Sequence, residues 1–209
     1  MNGEIFRTVA GDMEIELEEK RSTFIAAVRR VATEEEAEAF VKERRRLHPS
    51  ARHTVYAYIL KKGAERYADD SEPQGTAGLP TLEAIRRAGL SDVCIATTRY
   101  FGGILLGTGG LTRAYGGAAH QVLDAAGVAE FVPFTDYLLD CTYPDYQKLL
   151  QEIPKFEGRE RGAEFADRVR LTVGIPAEQG ERFAARIVDF TAGRCVPEEM
   201  GTALDSKTL

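Results

Sequence analysis

Two short segments carry the residue types and spacings from which chemistry could be built. The first is Asp69-Asp70-Ser71-Glu72-Pro73-Gln74-Gly75-Thr76-Ala77-Gly78-Leu79-Pro80. Carboxylates, hydroxyls, glycines and prolines crowded together make a loop rather than a regular element. Clustered carboxylates suit a hard cation such as Mg²⁺ and shift one another's proton affinity, so a cation or general-base site is one reading. The other is a solvated acidic turn whose Asp and Ser side chains accept from nearby backbone N–H groups. The Asp-x-Asp-x-Asp-Gly spacing of a calcium loop is absent, and no metal ligand set is expected.

The second segment runs from Arg99 to Gly117, and seven of its nineteen residues are glycine. A glycine inside a regular element costs about 0.5–1 kcal/mol, so the run marks a place where backbone turns sharply or approaches something closely. It lies between an apolar strand and an amphipathic helix. Free N–H groups and the positive end of that helix would form an anion cradle. The competing reading is that the glycines only let strand and helix pack closely. The run matches neither the dinucleotide fingerprint nor the phosphate loop, having no Gly-Lys-Ser or Gly-Lys-Thr and no acidic ribose partner. The candidate anion site is Arg99, Gly102, Gly103, Gly107, Thr108, Gly109, Gly110 and Arg113. His53, Asp69, Asp70, Glu72, Gly75 and Thr76 form its supporting loop.

Of the three histidines, His48 precedes Pro49 as a helix cap, and His120 falls on the polar side of a helix. His53 opens a strand and is the one placed to matter. No Ser or Cys has a nucleophile elbow or a base partner, and no His/Cys cluster suggests zinc. Cys94, Cys141 and Cys195 form no Cys-x-x-Cys pair, which fits a reduced, cytoplasmic chain with three incidental thiols. There is no charged-then-apolar leader and no run of about 18 apolar residues. The 209 residues are 44% hydrophobic and 29% charged with a net charge of −6, so the chain is globular and not a polycation. The clusters Arg44–Arg46, Lys61–Lys62 and Arg86–Arg87 read as solvated faces or turns.

The elements that must position these loops follow from periodicity. Strands are expected over 22–31, 54–60 and 93–97. Thr33 followed by Glu34, Glu35 and Glu36 starts a helix that Pro49 stops. Pro80 opens a short helix ended by Gly89, and a long helix spans about 110–126 with Leu111, Ala114, Tyr115, Ala118, Val122 and Ala125 inward. Near Phe131-Val132-Pro133 the chain changes character. Strand 137–143, a helix from Pro144, strands 163–165 and 168–175, a helix from Pro176 and an extended close at 194–203 give β-α-β-β-α-β, the ferredoxin-like order. The expected domains are 1–130 and 131–209.

The two loops, with Glu19-Lys20-Arg21-Ser22-Thr23-Phe24-Ile25 and Ala51-Arg52-His53, resemble the IMPACT (YigZ-like) family, bacterial two-domain type. Thr54-Val55-Tyr56 departs from the Asn-Cys-aromatic run usual there, which removes a thiol beside His53. The resemblance implies an α+β protein. Its N-terminal part would be a two-layer α/β sandwich similar to the second domain of a small-subunit ribosomal protein. Its C-terminal part would be similar to ferredoxin-like domains of elongation factor G. From this follows the leading expectation: a translation-associated, non-enzymatic protein that binds ribosome or RNA through its glycine and arginine surface. The alternative is an enzyme or sensor for a small phosphate-bearing ligand, in which the acidic loop holds Mg²⁺. No cofactor is expected otherwise, and no membrane partner.

Overall fold

The computed structural model describes residues 5–208, which fall into two compact units, Phe6–Glu130 and Phe131–Lys207. The first unit opens with β1 (Phe6–Val9) and is built on β2 (Met13–Glu19), β3 (Ser22–Arg30), β4 (His53–Ile59), β5 (Glu65–Ala68) and β6 (Val93–Tyr100). The sheet order is β2-β3-β6-β4-β5, with each of these neighbours antiparallel. Three helices cover it: α1 (Glu34–Leu47), α2 (Gly78–Ala88) and α3 (Thr108–Ala126).

The central strand β6 explains the layering. Successive side chains of a strand point to opposite faces, and β6 is buried on both. Val93 and Ile95 pack with Leu82 and Ile85 of α2 and Ala118 and Val122 of α3. Cys94 and Ala96 point the other way, against Ala37, Phe40 and Val41 of α1. The mixed α/β class is as the sequence implies, and α1 adds a third layer where two were expected. Thr33 caps α1 by accepting from the Glu36 N–H at 3.2 Å. Arg44 is not on a solvated face: it is 6% exposed, with its guanidinium 2.5 Å from Glu14 and 3.0 Å from His48. The long helix begins at Thr108, and Ala126 rather than Ala125 turns inward. Its pair Gly116-Gly117 marks no close approach: a Cβ on Gly116 would make only ordinary contact with Pro80 at 3.6 Å, and one on Gly117 would meet nothing within 4 Å.

The second unit contains β7 (Val128–Cys141), α4 (Tyr143–Glu152), β8 (Arg159–Phe165), β9 (Val169–Pro176), α5 (Gly180–Phe190) and β10 (Glu198–Thr208). β7 has its first three residues in the first unit. The sheet order β10-β7-β9-β8 places the first and third strands of the β-α-β-β-α-β run at the centre, the ferredoxin-like arrangement. Alternation delivers Leu139 and Cys141 of β7 and Leu171, Val173 and Ile175 of β9 to one face, where Leu149 and Ile153 meet Phe183 and Ile187. Among the described residues, no helix is long and apolar enough to cross a membrane.

All three thiols lie in these cores: Cys94 is 0% exposed, and Cys141 and Cys195 are 1% exposed. Burial pushes Cys94 up to about 12 and Cys195 up to about 11, so neither is a thiolate at neutral pH. Ellman's reagent at pH 8 is therefore expected to titrate no thiol in the native protein and all three in denaturant. Rapid native labelling would show that these cores open.

Candidate functional site

Strand register builds the centre of the site. Arg99 on β6 stands directly across from Phe24 on β3 and His53 on β4, so the three side chains share one face of the sheet. It is the face on which α3 packs. Arg99 is 6% exposed, and its Nη1 donates to Glu72 Oε1 at 2.6 Å. The Tyr115 hydroxyl on α3 donates to the same oxygen at 2.8 Å. Burial, with the Glu72 carboxylate beside it, pushes the Tyr115 phenol well above its usual value, so it stays a donor. The Arg99 guanidinium lies 5.5 Å from the Phe24 ring centre and 5.7 Å from that of Phe101. Its Nε is buried without a hydrogen-bond partner.

The acidic loop divides its carboxylates among three tasks. Asp69 accepts from the N–H groups of Gly75, Ala77 and Gly78 at 2.8, 3.1 and 2.7 Å, which satisfies the start of α2. Asp70 accepts from the Thr54 N–H at 2.7 Å and from Arg45 at 3.1 Å. Glu72 holds Arg99 and Tyr115. Thr76 closes the turn by donating its hydroxyl to the Pro73 carbonyl at 2.6 Å, and Gly75 supplies a φ of 74°. Asp70 and Ser71 also take left-handed φ values, 46° and 69°, which L side chains adopt at a cost. This strained turn presents the Asp70 carbonyl 2.6 Å from His53 Nδ1. A carbonyl only accepts, so Nδ1 carries the hydrogen and Nε2 faces Glu72 at 3.9 Å. Among the described residues, no group of three or more His, Cys, Asp or Glu side chains is placed to hold a metal ion.

The glycine run serves two purposes. Gly102 passes so close to the β2–β3 turn that a Cβ there would sit 1.9 Å from the Arg21 carbonyl oxygen. Its N–H donates to Ser22 Oγ at 3.2 Å. Gly107, with φ 72°, turns the chain into α3, and neither a side-chain cap nor an acidic residue occupies the helix start. Beside that start lies a cavity of about 430 Å³.

The predicted residues His53, Glu72, Arg99, Gly107 and Thr108 line this cavity. The other predicted residues do not. Asp69, Asp70, Gly75 and Thr76 shape the acidic loop behind it. Gly102 and Gly103 carry the chain from β6 across the Arg21 turn. Gly109 and Gly110 lie in the first turn of α3, where a Cβ on Gly110 would meet Leu106 at 2.9 Å. Arg113 is exposed and stands outside the lining, one helical turn past the mouth. Arg52, Ser71, Pro73, Phe101, Leu105, Leu106 and Leu111 complete the wall. Arg52 had a signal in its place beside His53. Phe101 and Leu105 had one in being apolar within a loop. A second cavity of about 810 Å³ between α2 and α3, with Leu79, Pro80, Ala84 and Leu123 in its wall, was not foreseen.

These features define a two-unit α+β protein with a ferredoxin-like second unit and an ion-paired cavity at a helix start in the first. Residues 20–123 match the Impact N-terminal domain, and residues 139–194 match a domain of unknown function, DUF1949. The chain is 35% identical over 178 residues to IMPACT family member YigZ of Escherichia coli, covering 83% of this chain and 87% of that one. It is 33% identical to IMPACT family member YvyE of Bacillus subtilis, covering 88% and 85% of the two chains. A solved structure described as a crystal structure of a hypothetical protein aligns with TM-score 0.61 at 32% identity, covering 96% of this chain and 98% of that one. The chain belongs to the IMPACT family.

The buried pair sets two expected outcomes in chemical denaturation. Glu72→Ala strands a buried guanidinium and is expected to cost about 3–5 kcal/mol. Arg99→Lys keeps the charge but loses the fork, at about 1–3 kcal/mol. Unchanged midpoints in both variants would show that the pair does not hold the unit together.

Proposed function

We propose that the N-terminal unit is a binding module for a phosphate-bearing ligand, seated where α3 opens onto the cavity lined by Arg99. The single observation that carries this reading is the juxtaposition of an uncapped helix start with a buried arginine. The first-turn N–H groups of a helix have no intrahelical partner and sit at its positive end. Among the described residues no side chain satisfies them, and Gly107 and Gly109 leave the backbone open to approach. Arg99 has one donor on Glu72 and an unpartnered Nε. His53 and Arg52 add further basic groups to the wall.

A translation-associated role, with the phosphate supplied by ribosomal or other RNA, is the second reading. The ribosomal-protein and elongation-factor likenesses that the family resemblance implies favour it. Against an extended RNA-binding face stands the pairing of the basic clusters: Arg44 with Glu14, Arg45 with Asp70, and Arg86 with both Glu65 and Glu83. Non-specific affinity for a nucleic-acid backbone grows with the number of phosphates neutralised. A side chain already paired with a carboxylate contributes less of it. One localised anion site fits these arginines better than a broad basic surface does.

A thermal-shift series with inorganic phosphate, nucleotides and sugar phosphates tests the proposal. A ligand at 100 times its Kd is expected to stabilise the protein by about 2.7 kcal/mol. Gly109→Asp is the informative variant, because a Cβ at Gly109 meets only Arg113 Nη1, at 3.8 Å. A carboxylate in the first turn favours the helix and repels an incoming anion. Stability is expected to hold or rise while the ligand-induced shift disappears. A wild-type protein indifferent to every phosphate compound would defeat the reading. Co-sedimentation with ribosomes at two salt concentrations tests the RNA reading separately: an RNA-backbone contact weakens steeply with salt.

A further inference from the structure

The loop between β6 and α3 keeps large apolar side chains in water beside a charged cavity. Phe101 is 40% exposed, Ile104 41% and Leu105 83%. The loop is bounded by Gly102 and Gly103 at one end and by Gly107 at the other, and Gly103 and Gly107 hold φ values of 83° and 72°. Phe101 and Leu105 line the same cavity as His53, Glu72 and Arg99. One wall is therefore apolar and the other charged. The Arg52 guanidinium stands 5.9 Å from the centre of the Phe101 ring, and that of Arg99 stands 5.7 Å from it. Arg52 is exposed and, among the described residues, is paired with no carboxylate.

We infer that Phe101 is a stacking platform for a nucleobase and that the ligand of this cavity is a mononucleotide. The phosphate lies on the first turn of α3, and the base lies over Phe101 against Leu105. This rests on the phosphate reading of the same cavity and extends it. Inorganic phosphate would use only the charged wall. A sugar phosphate would leave Phe101 and Leu105 facing water. A nucleotide joins an anion to a flat aromatic surface and uses both walls at once. Stacking of a base on an aromatic ring tolerates every base. A guanidinium next to that ring strengthens the platform, because it is attracted both to the ring face and to the phosphate. The cavity of about 430 Å³ lies within the range of small-molecule sites, about 300–1,000 Å³.

The chain contains no tryptophan, which gives the inference a direct optical test. Phe101→Trp introduces a lone indole at the platform, and a base stacked on it quenches its fluorescence. This protein is titrated with AMP, UMP, ribose 5-phosphate and inorganic phosphate, while the same series is followed on the wild type by calorimetry. Both nucleotides are expected to quench the indole and to bind the wild type about 10-fold more tightly than ribose 5-phosphate. Phe101→Ala is expected to erase that preference and to leave the affinity for ribose 5-phosphate within about 2-fold. Leu105→Ala removes a side chain that is 83% exposed. It is expected to weaken nucleotide binding without lowering the melting temperature.

Equal wild-type affinities for AMP and ribose 5-phosphate, with no quenching, would overturn the stacking inference while leaving the phosphate site standing. Failure of every compound to bind the wild type would overturn both. A short oligoribonucleotide that binds more than about 10-fold more tightly than AMP would overturn the mononucleotide assignment and give the site to an RNA end.

Discussion

The N-terminal unit depends on one carboxylate taken out of water. Glu72 is 8% exposed, and an isolated buried charge is too costly to persist unless it is paired and hydrogen-bonded. Arg99 on β6 and Tyr115 on α3 meet that requirement on a single oxygen. The acidic loop, the central strand and the longest helix are thereby fixed to one another. With Glu72 anchored, Asp69 reaches the start of α2, and Asp70 reaches β4 and the imidazole of His53. What reads in sequence as a cluster of acids is a junction in which each acid holds a different element.

Period-2 and period-3.6 patterns made much of the fold legible. β3, β9, α1 and α5 follow directly from alternation, capping residues and helix stops. β2 was passed over even though Glu14, Glu16 and Glu18 alternate strictly with Ile15 and Leu17, the pattern of a half-buried edge strand. Arg44 was read as solvated because its neighbours Arg45 and Arg46 are, yet its position turns it inward toward Glu14. At the site, the acidic loop was expected to support the glycine loop that carries Arg99. Which carboxylate Arg99 takes was open, because the answer depends on the register that sets His53 opposite Arg99 across β4 and β6. That register joins residues far apart in the chain and leaves no local mark. Gly102 owes its identity to the approach of Arg21, which is equally non-local. Arg52 and Phe101 lie inside the stretches singled out, but attention went to the histidine, arginine and glycines beside them. Their shared position at the cavity mouth exists only in three dimensions.

Charge distribution links this architecture to function. For a chain with net charge −6, the proposed phosphate site would concentrate donors at one point rather than spread positive charge. The paired arginines of α1 and α2 stiffen their own surroundings, and the cavity retains the donors that stay incompletely used. The specificity of such a site lies in geometry and in the apolar wall facing the charges, so it is less sensitive to ionic strength than an extended basic face.

The sequence separations inside the site also bear on how it assembles. Tyr115 and Glu72 are 43 residues apart, and the Gly102–Ser22 bond joins residues 80 apart. Closing loops of that length costs chain entropy before any contact repays it, which places such contacts late along a folding route. The cavity is thus expected to be a late acquisition of the nascent domain. Any sub-global opening that parts β3 from the β6–α3 loop would dissolve the pocket while α1 and its side of the sheet remain folded. Amide exchange would then separate two cooperative units within what looks like one sheet.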